Sequence, residues 1–458
     1  MASNPQPARY HADPAILELG NDFYDPVRPA EFPETRLRFR NDRAAAQIGL
    51  HDLSDGAWCQ HFGRFFPLAN NLPNALALRY HGHQFRVYNP EIGDGRGFLF
   101  AQLRDDRNRL MDLGTKGSGT TPWSRFGDGR LTLKGGVREV LATEMLEALG
   151  VTTSRSFSLI ETGEALERND EPSPTRSAVL VRLNHSHIRI GTFQRLATLG
   201  DVENLKKLIG YVLRHYFDDG GSGDNAALRL LDHVVRRTAR LAGQFMAAGF
   251  VHGVLNSDNI NVTGESFDYG PWRFTPNWDP GFVAAYFDHN GLYAFGRQPE
   301  AIHWDVMQLA GTLLPFADEK ALIDVLDRFG DAYQPAVTEA ILWRLGVEPA
   351  DAVRDQAVIQ AIERGLRAGN TGIDDFFFRS FGGSIPADLG DSFAPARDLL
   401  TGYRPRKDRD HPYWQDTAPC SLLIDEVEAI WAAIAGHDNW AAFDAKIAAI
   451  RRFGDAIA

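Results

Sequence analysis

The chain is poor in cysteine. It has two in 458 residues, Cys59 and Cys420, far apart in sequence. A disulfide scaffold is excluded, and neither cysteine has a metal-type partner nearby. A reducing compartment is therefore expected. Long apolar runs are missing too: no stretch approaches the roughly eighteen apolar residues of a membrane span. The opening MASNPQPARYHADPAIL lacks a basic region followed by an apolar core, so no secretory signal is read there. Positive charge is scarce. Lys and Arg number 48 against 60 Asp and Glu, a formal charge of −12. That balance argues against general binding of nucleic acid or of an anionic membrane. Internal repeats and low-complexity tracts are absent as well. A cytoplasmic protein with no nucleic-acid and no membrane partner is the expectation.

What is present is ordinary in amount: 44% of residues are hydrophobic and 24% charged, as in a globular protein. The length exceeds one typical core, which predicts two domains. Residues 1–40, rich in Pro, Asp and Arg, read as an extended arm. Short helices are predicted near 41–50 and 73–85, the second carrying Tyr80-His81-Gly82-His83-Gln84-Phe85. A His-x-His pair can bind metal, but without a third ligand in sight a structural role is the stronger reading. IGDGRGFLFAQL (92–103) places Gly93, Gly95 and Gly97 before a strand-length apolar run. Such a turn lets backbone approach a phosphate, with Arg96 adding charge, although Asp-Gly also marks hairpins. LMDLGTKGSG (110–119) reads as the next strand, joined through a polar Asp105–Arg109 turn and ending near Lys116. That lysine either reaches a polyphosphate or is an ordinary exposed strand-end lysine.

Residues 131–150 predict a helix: Leu133, Val137, Leu141, Met145 and Leu149 recur at near-helical spacing and Gly150 terminates it. Glu139 lies off that stripe among small neighbours that leave room for another element. Strands are predicted over 155–164 and 177–191. The second carries Arg182 and has Arg189 near its exit, a pair suited either to clamping an anion or to pairing with surface carboxylates. Beyond about residue 195 helical periodicity takes over, at 201–217, 226–248, 300–315, 318–329, 335–345, 350–368, 425–436 and 439–453, and Phe376-Phe377-Phe378 reads as core or interface, not as a cofactor box. The fold class is α+β, with residues 1–192 as arm and sheet-rich domain and 193–458 as a larger helical domain.

The densest chemistry lies in His252–Gly270, HGVLNSDNINVTGESFDYG, with one histidine, three asparagines and two aspartates. Hard oxygen donors at this density suit a divalent cation beside a polyphosphate; a polar turn-forming loop is the plain alternative. A sheet with one helix followed by a helical domain resembles the two-lobed protein kinase-like fold. That fold asks for a glycine loop, a strand lysine, a helix glutamate, an asparagine seven residues after a histidine, and an Asp-x-Gly. Gly93/Gly95, Lys116, Glu139, His252 with Asn259, and Asp268-Tyr269-Gly270 occur in that order. The kinase base two residues after the histidine is missing, because Val254 stands there; Asp258 is the nearest replacement. An ordinary kinase mechanism is not expected.

The runs YHGHQF, GDGRG, KGSGTTPWSRFGDGR, VREVLATEMLEALGV, SHIRIGTF, HGVLNSDNINV, DYGP and YAFGRQPEAIHWD resemble the selenoprotein O family, the YdiU-type proteins, across about residues 75–315. The resemblance implies a kinase-like fold that binds ATP flipped relative to kinases and transfers AMP to Ser, Thr or Tyr hydroxyls of other proteins. It implies Lys116 as the phosphate lysine with Glu139 as its partner. Gly93, Gly95, Arg96, Asp128 and Gly129 would line the nucleotide pocket, and Arg182 and Arg189 would clamp the phosphates. Asp258 would accept the hydroxyl proton, while Asn259 and Asp268 would hold Mg2+, with Mn2+ the variant. Attack at the α-phosphorus expels pyrophosphate, and fixed cations aimed at the developing charge supply the stabilisation such a step needs. UMP transfer from UTP and a nucleotide-binding pseudokinase scaffold are the alternatives. One departure stands out. Members of the family often end in Cys-x-x-selenocysteine or Cys-x-x-Cys, whereas this sequence ends RRFGDAIA, so redox chemistry tied to that motif does not carry over.

Overall fold

In the computed structural model, which describes residues 9–169, 171–369 and 371–458, the first part of the chain builds an antiparallel sheet. Its strands are β1 (Tyr24–Val27), β2 (Arg36–Arg40) and β3 (Ala75–Leu78), then β6 (Leu99–Arg104), β7 (Leu110–Lys116), β8 (Leu131–Thr132), β9 (Arg155–Leu166) and β10 (Thr175–Asn184). Between β3 and β6, β4 (Gly82–Gln84) and β5 (Val87–Asn89) pair as a separate hairpin. The sheet order is β1-β3-β6-β7-β10-β9-β2, with β8 added against β10. β7 is buried along its whole length, and β6 along all but its last residue. Unbroken burial of this kind marks a sheet covered on both faces. One face carries α3 (Leu133–Ala148); the other carries α1 (Asp42–Gln47) and α2 (Asp55–Phe62). On the α2 side Trp58 stacks on Phe157 at 4.7 Å between ring centres, and Phe62 meets Phe100 edge-on at 6.1 Å. Trp58 is fully buried, and truncating such a ring to alanine costs about 3–5 kcal/mol.

Local chemistry explains where these elements start and stop. Asp105 Oδ1 accepts the amides of Arg107 and Arg109 at 3.0 and 2.8 Å, which closes the predicted turn between β6 and β7. The Thr132 hydroxyl accepts the Gly135 amide and caps α3. Other expectations give way. Residues 73–85 are strand, not helix: Ala75–Leu78 pairs with β1 on one side and β6 on the other, and two partners outweigh the helical preference of an Ala-Leu run. The arm is no loose wrap. Its first eight residues lie outside those described, and the rest contributes β1 to one edge of the sheet and β2 to the opposite edge.

The strand expected to run to residue 191 ends at Asn184, and α4 (Ile190–Thr198) begins six residues later. The segment between is laced instead to the 252–270 stretch, with Ile190 N–H donating to Ile260 O and Val262 N–H to Ile188 O. The helices α5 (Val202–Tyr216), α6 (Ala226–Ala248), α7 (Gln298–Thr312), α8 (Glu319–Leu326), α9 (Arg328–Leu345) and α10 (Ala352–Ala368) follow, then α11 (Ile373–Ser380), α12 (Ala394–Leu400), α13 (Ile424–His437) and α14 (Ala441–Ile457). The break predicted before residue 335 falls at Asp327 instead, and α9 continues through Pro335. α6 is the central helix, packed against α5, α7, α8 and α9. Phe376 and Phe377 are buried core on α11. α13 and α14 turn back to lie along α3. Directly after α6, β11 (Phe250–Val251) pairs with β12 (Arg273–Phe274) and pins the two ends of the Asn- and Asp-rich stretch together. Among the described residues no helix is long and apolar enough to cross a membrane.

Candidate active site

A cavity of about 750 Å³ lies between the sheet and the loop that β11 and β12 close. Gly93, Gly95, Arg96, Lys116, Asp128, Gly129, Arg182, Arg189, Asp258 and Asp268 all line it. Glu139 stands directly behind Lys116, and Asn259 lies beside the lining, on the short turn that carries Asp258. Residues spread over 176 positions of sequence thus meet in one place.

The inner wall is a four-member charge network. Lys116, at the end of β7, is 4% exposed, so the ordinary exposed strand-end lysine does not describe it. Its Nζ donates to Glu139 Oε2 at 2.5 Å and lies 2.7 Å from Asp268 Oδ1. Arg182, on β10, reaches the same two carboxylates, each at 3.3 Å. Glu139 comes from the face of α3 that looks onto the sheet and is wholly buried. Removing one member of such a buried set strands an opposite charge, at a cost of about 3–5 kcal/mol. Burial alone would raise the Asp268 carboxyl, but Lys116, Arg182, Arg96 and Arg189 hold it well below the usual carboxylate range. Asp268 also adopts a left-handed backbone, φ +64°, which an aspartate tolerates at some strain. Its side chain remains 27% exposed, toward the cavity it lines.

Arg189 follows Arg182 by seven residues and is equally buried. Its NH2 pairs with Asp94 Oδ1 at 3.1 Å and its NH1 donates to the Asp258 carbonyl at 3.2 Å. Its guanidinium sits 4.2 Å from the Tyr80 ring centre and 4.9 Å from that of Phe267, while Arg182 sits 5.6 Å from the same Phe267 ring. Two cations on one aromatic ring are held by π-faces as well as by charge. The partners are buried site carboxylates, not surface ones. Among the described residues the Nε groups of both arginines are buried without an acceptor.

The glycine loop owes its composition partly to packing. A Cβ on Gly93 would lie 2.5 Å from the Trp123 ring, and one on Gly95 would lie 2.9 Å from the Trp123 carbonyl. Trp123 is itself fixed by its Nε1–H bond to Asp25 Oδ2 at 3.0 Å. At the outer rim Asp128 forms a two-pronged pair with Arg168 at 2.8 and 3.1 Å. Gly129, at φ +69°, abuts the Gly119 backbone, and the Phe126 ring is fully exposed. Asp94, Tyr80, Phe267 and Trp123 had no role in the sequence reading. Asp94 was open to view as an acid between two loop glycines, but the other three are disclosed only by packing.

The Asn256–Asn259 turn is clamped from outside by the YHGHQF segment. The Ser257 hydroxyl accepts the His83 amide at 2.7 Å and donates to Gln194 Oε1 at 2.6 Å. Asn256 Oδ1 accepts the Phe85 amide at 3.0 Å and the Tyr293 hydroxyl at 2.7 Å. Gly82 is packed so closely that a Cβ there would lie 2.9 Å from Asp258 Cβ. His81 Nδ1 meets the Tyr88 hydroxyl and His83 Nδ1 meets Gln194 Nε2, both at 2.7 Å, so each ring is engaged in packing contacts. His252 is buried; its Nε2 bonds the Phe267 carbonyl at 3.0 Å, and burial lowers its pKa.

Asp258 is 7% exposed, and among the described residues its Oδ1 is buried without a hydrogen-bond partner. Burial pushes its carboxyl up to about 6; Arg189 opposes the rise and Asp268 adds to it. A carboxyl shifted toward neutrality in this way is suited to exchanging a proton.

The donor set also suits a hard divalent cation. Asn259 Nδ2 donates to the Val254 carbonyl at 3.0 Å, which leaves its Oδ1 free of protein donors among the described residues. The Asp268 carboxylate is open to the cavity. Among the described residues no group of three or more His, Cys, Asp or Glu is placed to hold a metal. A cation here would draw its remaining ligands from phosphate oxygens and water, which is the habit of magnesium.

The chain also has relatives among known proteins. The chain matches the family described as protein adenylyltransferase SelO over residues 8–382. It is 45% identical over 464 residues to the protein nucleotidyltransferase YdiU of Gloeobacter violaceus, covering 96% of this chain and 95% of that protein. The protein of the same name from Synechocystis is 41% identical over 467 residues, covering 94% and 96%. That from Azotobacter vinelandii is 36% identical over 372 residues, covering 81% and 75%.

Proposed function

Because the chain belongs to the SelO family of protein adenylyltransferases and is a protein nucleotidyltransferase, we propose that it moves AMP from ATP to Ser, Thr or Tyr hydroxyls of other proteins and releases pyrophosphate. One observation carries this reading: Lys116, Arg182, Arg189, Asp258 and Asp268 converge on one cavity, with Glu139 directly behind Lys116. In this reading residues 1–192 and 193–458 are the two lobes of a kinase-like fold, and the reaction runs in the cleft between them. A cytoplasmic setting goes with it, supported by Cys59 and Cys420 both being free.

Lys116 and Arg182 hold Asp268 until a polyphosphate enters, then turn their donors to its oxygens. Arg189, seated on Tyr80 and Phe267, draws the phosphate chain toward the inner end and leaves the nucleoside toward the rim near Asp128 and Gly129. Arg96, on the glycine loop, adds charge above it. A divalent cation, Mg2+ or Mn2+, held by Asn259 and Asp268 would neutralise charge on the phosphates when bound. Asp258 takes the proton of the substrate hydroxyl as its oxygen bonds the α-phosphorus. The bond from that phosphorus to the pyrophosphate oxygen breaks, and the cations at the inner wall receive the leaving charge. Val254 cannot supply the proton acceptor that a kinase has at that place, which supports AMP over phosphate transfer.

ATP labelled separately at the α- and γ-phosphates tests the reading. Label is expected on protein from the α-position only; label from the γ-position only would replace the proposal with kinase chemistry. UTP competing better than ATP would shift it to UMP transfer. Binding without any transfer would leave a pseudokinase scaffold.

A further inference from the structure

The last two helices pack on the back of the helix that carries Glu139. Glu139 and Glu144 are five residues apart on α3, so at about 100° per residue they point about 140° apart around its axis. Glu139 faces Lys116; Glu144 faces away from the cavity, toward α14. Arg451 of α14 grips Glu144 with both prongs, Nε to Oε2 at 2.7 Å and NH2 to Oε1 at 2.9 Å. Glu144 is 6% exposed, and Asn41 at the start of α1 donates to the same Oε1 at 3.3 Å. Toward the N-terminal end of α3, Lys134 bonds Glu428 of α13 at 2.8 Å and Arg138 approaches it at 3.6 Å. The tail is anchored again at its own turn, where Asp438 takes Arg176 at 2.7 Å and Arg38 at 3.1 Å from two different strands. A helix fixed at two points on its outer side cannot roll about its axis, and rolling is the motion that would carry Glu139 away from Lys116.

We propose that the α13–α14 tail is a positioning element for catalysis, which sets through Arg451 and Glu428 the rotation of α3 that presents Glu139 to Lys116. This rests on the nucleotidyl-transfer reading of the cavity. Neither residue touches substrate; both act through Glu139.

A double-mutant cycle tests it. Arg451→Met should lower α-label transfer from ATP about tenfold while the protein stays folded by circular dichroism, and Glu144→Gln should do the same. In Glu139→Gln, adding Arg451→Met should cost nothing more. Arg451→Lys, which keeps charge but not the two-pronged grip, should recover only part of the rate. A tail that merely stabilises predicts otherwise: a lower unfolding midpoint, a wild-type rate well below that midpoint, and losses that multiply in the double variant. Either that wild-type rate or those multiplied losses overturns the proposal. Should Arg451→Met not fold, Glu428→Gln enters the same cycle, and a wild-type rate there is equally fatal. If the wild-type enzyme moved no α-label, the transfer reading would fall. The cycle is then read in the Kd of a non-hydrolysable ATP analogue, where absence of coupling between 451 and 139 overturns the positioning role.

Discussion

The inner wall and the outer rim of the cavity are built from the same residue types to different ends. At the wall, Lys116 and Glu139 have side-chain exposures of 5% and 0%, and Arg182 shares their carboxylates. At the rim, Arg168 and Asp128 form a pair of equally good geometry with exposures of 23% and 49%. Fork geometry is therefore no guide to function here; burial is. In water the rim pair is screened and contributes about 0–1 kcal/mol. Out of water the wall charges are costly to separate and act at full strength on whatever charge develops beside them. The wall is also over-determined, since each cation has at least two anionic or aromatic neighbours, whereas among the described residues Asp128 has a single ion-pair partner, Arg168.

Breaking the wall should give the largest effect. Asp268→Ala removes the carboxylate shared by Lys116 and Arg182 and the side chain open to a cation. Transfer of α-label should fall by at least about a thousandfold, and a loss under tenfold would put Asp268 outside the chemistry. Next comes Asp258→Asn, which keeps the shape of the turn but removes the proton acceptor. We expect kcat to fall about a hundred- to a thousandfold, within the range of a general base, with the Kd for ATP held within about threefold. A matching loss of ATP affinity would make Asp258 a nucleotide-binding residue instead.

Much of the wall was legible in the sequence, because each of its members sits at a place that local pattern marks: a lysine ending a strand, a glutamate among small residues on a helix, an Asp-x-Gly after an Asn-rich turn. Legibility fails where the cause is packing between distant segments. Nothing near Arg189 announces Tyr80, Phe267 or Asp94, and nothing near Gly93 announces the Trp123 ring that lies on it. Residues 73–85 misled because their helical preference is real and is outweighed by pairing on both sides, which only the assembled sheet discloses. The breaking of the 177–191 run at Asn184 has the same origin: His185–Arg189 trades ladder bonds for contacts with the 260–262 backbone. The return of α13 and α14 onto α3 leaves no mark in local periodicity at all.

Burial alone is not the whole lesson, and Glu265 sharpens it. It lies three residues before Asp268 and is more deeply buried, but among the described residues it faces no lysine or arginine in an ion pair; its Oε2 accepts the His185 amide at 2.6 Å. Burial pushes its carboxyl from 4.5 up to about 7, against the pull of that amide, whereas Asp268 goes the other way. The folded protein therefore holds a proton on Glu265 that the unfolded chain releases above 4.5. The stabilisation is fully present below pH 4.5 and is lost as pH rises toward 7. At about 1.4 kcal/mol per pH unit over this interval, the loss is at most about 3.5 kcal/mol. Glu265→Gln keeps an acceptor for His185 and should lose this dependence. Urea midpoints at pH 5 and pH 8 should differ less in the variant than in the wild type; equal differences would place Glu265 in contact with water.

The smallest effect is expected at the rim. Asp128 is already half in water, its side chain 49% exposed, so Asp128→Asn costs Arg168 only a screened partner and the unfolding free energy should change by less than about 1 kcal/mol. In the proposed reading Asp128 lies at the end of the cavity away from the reacting phosphorus, so whatever it contributes is made equally to bound ATP and to the transition state. Interactions of that kind raise KM when removed and leave kcat alone. We expect KM for ATP to rise a few-fold with kcat within about twofold. A kcat loss approaching that of Asp258→Asn would erase the distinction between wall and rim, since it would mean that an exposed pair senses the charge developing at the inner end.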